Sequence, residues 1–194
     1  MVRLYRIRVV VGESDRDFRA RLKETLRHAG YMVIGETQDS RSLLQLVFQT
    51  TPELVILEYR LPGSEGMDVA GIIEEHHVAP VLLTADLHQY NVAELVRLPG
   101  IYGVLSRPLQ EEMVVPAVET ALASFERIIR LEKEVTSLRK TLEERKLTER
   151  AKGLLMERKG MTERQAYKYL QKLSMDRCIP ISRLAREIIR TLEK

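Results

Sequence analysis

Residues 54–66 read LVILEYRLPGSEG. Four apolar residues run into one carboxylate, Glu58, and then into a Pro-Gly loop. This is the pattern of a buried strand that delivers a single acid to its C-terminal edge. Short apolar runs recur on both sides: IRVVV (7–11), YMVIG (31–35), APVLLT (79–84) and GVLS (103–106). Amphipathic segments separate them, such as FRARLKETLRHAG, in which Phe18, Leu22, Thr25, Leu26 and Ala29 share one helical face and Gly30 is a natural stop. Five strands alternating with helices predict right-handed crossovers and a parallel, doubly wound α/β sheet. In such sheets the functional crevice lies beyond the C-terminal strand ends. The residues delivered there are Gly12 and Glu13 after the first strand, Glu58 after the third, Thr84 ending the fourth and Arg107 after the fifth.

The chain has 194 residues, enough for one ordinary domain and a smaller appendage, and 44% of them are hydrophobic. No apolar run is long enough to cross a bilayer, and the N-terminus lacks a long apolar stretch followed by a small-residue cleavage site, so a cytoplasmic protein without a membrane partner is expected. The single cysteine, Cys178, forms no intrachain disulfide and supplies no cysteine cluster for a metal. Charge is unevenly divided. Residues 145–194 hold 14 Lys/Arg against 6 Asp/Glu, whereas the rest hold 17 against 22, an asymmetry that points to a polyanion-binding end.

From about Gln110 the pattern changes. No glycine occurs until Gly153, and Pro116 sits in the first turn or two of a long helical stretch, where proline is best tolerated. Ile128, Leu131, Val135, Leu138 and Leu142 step by 3, 4, 3 and 4. With β-branched residues at a and leucine at d, this seam favours a parallel two-stranded coil and hence a homodimer. Arg127 would face Glu132 of the second chain, and Glu134 would face Arg139. A single amphipathic helix packed on its own domain is the alternative, since the next d position is Arg145. After Thr148 three short helices are legible: one stopping at Gly160, one starting at the Thr162–Gln165 capping box, and one starting near Pro180 or Ser182. Ala166, Leu170 and Leu173 form the apolar face of the second, with Leu155, Leu184 and Ile188 as partners. The expected organisation is a domain over 1–123, a linking coil over 110–147 and a helical module over 145–194.

With VVVGESD, LVILEYRLPGSEG, PVLLTAD and GIYGVLSRPL at its strand ends, the front half resembles a response-regulator receiver domain, which implies the five-stranded flavodoxin-like fold. The resemblance implies a phosphorylation site with two acids for Mg2+, an acceptor aspartate, a Ser/Thr and a lysine. Here the acid pair is Gly12-Glu13, the acceptor is Glu58, Thr84 is kept, the lysine is Arg107, the switch aromatic is Val104, and a loop acid appears as Glu65. Glu58 is one methylene too long for in-line transfer, and the incomplete pair argues against Mg2+, so no cofactor is expected. Glu58 is then a structural carboxylate paired with Arg107, a constitutive imitation of the phosphorylated state, or a phosphorylated residue. A phosphotransfer or metal-dependent enzyme built on Glu13 and Glu58 is a further alternative, against which the motif holds no histidine.

The tail segment AKGLLMERKGMTERQAYKYLQKLSM resembles an ANTAR domain, the RNA-binding module of bacterial transcription antiterminators. The resemblance implies binding to two successive hairpins in a nascent leader transcript, so that a competing terminator cannot form. Positive charge along two short helices, with Tyr167 able to stack on an unpaired base, agrees with RNA. Lys152, Gly153, Tyr167, Lys168 and Arg177 are the expected RNA-facing set, with mid-helix Gly153 marking a close approach; Leu155 and Met156 are expected in the core. A DNA-binding regulator using a helix-turn-helix tail is the alternative. With phosphate control in doubt, a ligand-sensing regulatory protein docked on the receiver is an expected partner.

Overall fold

The computed structural model describes residues 7–63 and 66–193. The chain divides into two compact units, Met1–Arg130 and Leu131–Lys194.

In the first unit five strands, β1 Arg8–Gly12, β2 Met32–Thr37, β3 Leu54–Glu58, β4 Val81–Ala85 and β5 Ile101–Ser106, form one sheet in the order β2-β1-β3-β4-β5. Every pairing is parallel. Helices α1 Arg16–His28, α2 Ser40–Thr50, α3 Gly66–Glu75, α4 Val92–Leu95 and α5 Glu111–Lys159 complete the alternation. The apolar runs are buried on both faces, as a helix-covered parallel sheet requires. Val9, Val11, Ile56 and Leu82 pack with Leu22 and Leu26 of α1 and with Val114, Val118 and Ala121 of α5. The alternate residues Val10, Val55, Leu57, Val81 and Leu83 pack with Leu43 and Val47 of α2 and Ile73 of α3. Strand order reverses between β1 and β3, so the crevice opens where Glu13 and Glu58 leave the sheet. Asp15 caps α1, its carboxylate accepting from the backbone N–H of Asp17 and Phe18. Gly30, at φ +88°, turns the chain out of the helix.

The second unit is helical, with α6 Glu163–Arg177 and α7 Ile181–Leu192 following the C-terminal part of α5. The coil stretch and the first tail helix form one continuous helix of 49 residues. Gly160, at φ +64°, ends α5, and the Thr162–Gln165 capping box starts α6 with both reciprocal bonds made. The expected apolar face meets its expected partners: Ala166 and Leu170 are buried with Leu155 and Leu184, and Leu173 and Ile188 pack against them. Met156 departs from the expected core, being 41% exposed, because it lies one residue past Leu155 on the helix.

Candidate functional site

Arg107 organises the crevice. One of its guanidinium nitrogens, Nη1, donates to Glu13 Oε1 at 2.8 Å and to Glu58 Oε1 at 3.1 Å, and Nη2 donates to Asp15 Oδ2 at 3.1 Å. The guanidinium carbon lies over the Phe18 ring, 4.4 Å from its centre, while the nitrogens serve three acids. The remaining carboxylate oxygens are also engaged. Glu58 Oε2 accepts from the Ser14 backbone N–H at 2.8 Å and the Ser14 hydroxyl at 2.5 Å. Glu13 Oε2 accepts from the Thr84 hydroxyl at 2.9 Å, and Glu13 Oε1 also accepts from the Asp15 N–H at 3.1 Å. Glu13 is fully buried. Burial first, and the neighbouring Glu58 charge second, push its carboxyl above the ordinary range, against the opposing pull of Arg107. Asp15 is held below its ordinary range by the Phe18 N–H, with Arg107 and the Asp17 N–H acting in the same direction against burial.

A six-oxygen cage for Mg2+ does not fit this arrangement. Arg107 already supplies the cation that Glu13 and Glu58 share. A second acid at position 12 would have to displace packed leucines, since a Cβ on Gly12 would stand 2.7 Å from Leu43 Cδ2 and 3.1 Å from Leu61 Cδ2. Among the described residues no group of three or more His, Cys, Asp or Glu is arranged to hold a metal ion. Val104 packs in the α2–α3 side of the core. The crevice rim carries an aromatic pair instead: Tyr59 and Tyr90 meet edge to face at 4.7 Å, and Arg60 lies over Tyr90 at 5.5 Å. Glu65 lies outside the described residues.

In the helical unit the expected RNA-facing residues separate into two groups. Tyr167 and Lys168 are exposed on α6, Tyr167 by 46%. Arg164 and Lys172 extend the same face at i−4 and i+4 from Lys168, and both are exposed. Lys152 is different: its ammonium is held by Glu149 at 2.9 Å and Glu163 at 2.8 Å, and its side chain is only 10% exposed. Its pKa is raised by the bonds to Glu163 and Glu149, and that of Glu163 is lowered in return. Lys152 therefore fastens α5 to the first turn of α6. Arg177 is exposed but ion-paired with Glu187 at 3.1 Å. Gly153 is also exposed, and an added Cβ would meet nothing within 4 Å, so no close approach within the chain accounts for it.

A response-regulator receiver domain model matches residues 9–119, and an ANTAR domain model matches residues 136–189. The transcriptional regulatory protein PdtaR of Mycobacterium tuberculosis is 37% identical over 185 residues, covering 95% of this chain and 90% of that protein. The chain belongs to the response regulators that carry an ANTAR domain. The aliphatic amidase regulator of Pseudomonas aeruginosa is 32% identical over 88 residues, 45% of each chain. The receiver domain of the NarL response regulator from M. tuberculosis superposes with a TM-score of 0.52 at 25% identity, covering 62% of this chain and 97% of that one.

In this ANTAR regulator Ser14 and Asp15 were not among the residues singled out from the sequence, yet they complete the clasp on Glu58 and Arg107. An Asp directly before the amphipathic run RDFRARL was the available signal, as a helix N-cap. The seam residues all lie on α5 and are exposed in the single chain: Ile128 by 40%, Leu131 by 49%, Val135 by 44%, Leu138 by 62% and Leu142 by 53%. No helix among the described residues is long and apolar enough to cross a membrane.

Proposed function

We infer that this ANTAR regulator is a transcription antiterminator that acts by binding paired stem-loops in a nascent leader transcript, not by making or breaking bonds. The observation that carries the reading is the exposed face of α6. Arg164, Lys168 and Lys172 stand there at four-residue intervals beside Tyr167, with no carboxylate partner among the described residues. Such a row neutralises successive phosphates while the ring stacks on an unpaired base. Because Lys152 and Arg177 are neutralised by Glu149, Glu163 and Glu187, the α6 row takes their place as the backbone contact. Two copies joined along Ile128, Leu131, Val135, Leu138 and Leu142 would present two such faces to two stem-loops.

Phosphorylation does not govern this activity in our reading. Glu58 already accepts three hydrogen bonds, Thr84 is held by Glu13, and Leu43 lies over the position of the missing acid. Control passes instead to a ligand-sensing protein that docks on the receiver. Gel shifts of the full chain on a twin stem-loop RNA, and on the same sequence as duplex DNA at matched salt, test the main reading. Preferential binding of the RNA is expected, and equal affinities would overturn it. Incubation with acetyl phosphate and Mg2+ followed by intact-mass measurement tests the second, with no phosphoryl-sized gain expected.

A further inference from the structure

A groove of about 430 Å³ opens beside the cationic face of α6, lined by Tyr167 together with Glu144, Arg145 and Thr148 of α5 and Ile181 and Ser182 of α7. Its volume is in the range of clefts that enclose small ligands. Tyr167 belongs to both features, forming one wall of the groove and one border of the Arg164–Lys168–Lys172 row. The groove also carries an unusual group for a polyanion-binding surface. Glu144 is half-buried there, and its carboxylate has no hydrogen-bond or ion partner among the described residues. Its neighbour Glu149 is turned to Lys152.

Beside Arg145, which suits a phosphate at the rim, the Glu144 carboxylate repels phosphate at its own position and meets an unpaired base there as a pure hydrogen-bond acceptor. We propose that this groove receives one extruded loop base, stacked on Tyr167, and that Glu144 selects bases presenting an amino group. Adenine, cytosine and guanine each offer an exocyclic NH2 on the edge a side chain would meet, guanine with its N1–H beside it, whereas uracil offers an N–H flanked by two carbonyls; adenine and cytosine loops are the probes used because they form no guanine quadruplexes. The Arg164–Lys168–Lys172 row then tracks the phosphates on either side of the extruded nucleotide. The proposal rests on the RNA-binding reading and adds a residue that sets base preference.

The test measures binding of the full chain to paired stem-loop RNAs whose loops are all adenine, all cytosine or all uracil, at one salt concentration. Adenine and cytosine loops should bind about fivefold or more tightly than uracil loops. In Glu144→Gln, whose amide both donates and accepts, that ratio should fall below about twofold with the tightest affinity retained. Tyr167→Ala should weaken every loop by about fivefold or more, while Tyr167→Phe, which keeps the stacking face, should not. Equal binding of the three loops by the unaltered chain, or a preference that survives Glu144→Gln, would overturn the proposal while leaving RNA binding in place. Absence of binding to all three RNAs would overturn the RNA reading itself.

Discussion

Arginine at position 107 does what a lysine cannot. The guanidinium reaches Glu13 and Glu58 from one nitrogen and Asp15 from another with its carbon over the Phe18 ring, a spread that the single nitrogen of an ammonium does not have. Removing it leaves Glu13 buried without its counter-ion, the situation that costs about 3–5 kcal/mol when one partner of a buried pair is lost. Arg107→Ala should therefore destabilise the chain by about 3 kcal/mol at neutral pH in urea denaturation. The loss should shrink on acidification, because a protonated Glu13 no longer needs the guanidinium. Glu13 itself gives a signed pH effect. Its carboxyl is held above the ordinary range by burial and by Glu58, so in the folded state it binds a proton that the unfolded chain has already released. Stability contributed by that proton is greatest at low pH and declines as pH rises from the ordinary carboxylate range through the raised value. Glu13→Gln should flatten this part of the stability profile, and an unchanged slope would contradict the assignment. Position 12 follows from sterics. Gly12→Asp would place its Cβ against Leu43 and Leu61, both almost completely buried, so it should cost about 1–3 kcal/mol in the same assay without creating Mg2+ affinity by calorimetry.

At the scale of elements, the capping box is the clearest local determinant. Thr162 Oγ1 accepts from the Gln165 N–H at 3.3 Å while Gln165 Oε1 accepts from the Thr162 N–H at 2.9 Å. Thr162→Ala should cost about 1 kcal/mol, read as faster amide exchange in the first turn of α6. This cap was legible in the sequence because its chemistry is local, and so were the strands, whose apolar runs are short, β-branched and buried on both faces. Strand ends were less legible. β4 begins at Val81, not Ala79, because Pro80 has no N–H to give the ladder and contributes only its carbonyl, to Val55. β2 runs on past Gly35 to Thr37 because Gly12 of β1 pairs there. The pairing of Glu58 with Arg107 could be anticipated from two strand ends facing one crevice. The Asp15 and Ser14 bonds could not, since they join residues 92 and 44 positions apart whose approach only the fold fixes. Lys152 shows the complementary problem. In the sequence it reads as one more cation, and only the packing of α5 against α6 brings Glu163 to it and removes it from the surface.

At the scale of the whole molecule the governing question is what covers the seam on α5. Five apolar side chains between Ile128 and Leu142 stand 40–62% exposed, at the alternating three- and four-residue spacing of a heptad. Burying the exposed half of each is worth about 1 kcal/mol, so the five from each of two chains would contribute about 10 kcal/mol. Association itself costs about 4–15 kcal/mol, and a seam that ends at Arg145 has little in reserve. A dimer on this balance is concentration-dependent, which leaves it open to control by anything that docks on the receiver. Sedimentation should accordingly show dissociation on dilution of the unaltered chain, and Leu131→Lys with Leu138→Lys should be monomeric at every concentration with its helix content unchanged. Neither residue belongs to the Arg164–Lys168–Lys172 row or lines the Tyr167 groove, so affinity for a single stem-loop should survive in the variant. What it should lose is the added affinity for two linked stem-loops, because that gain comes from the effective concentration of a second binding face and disappears with the second chain.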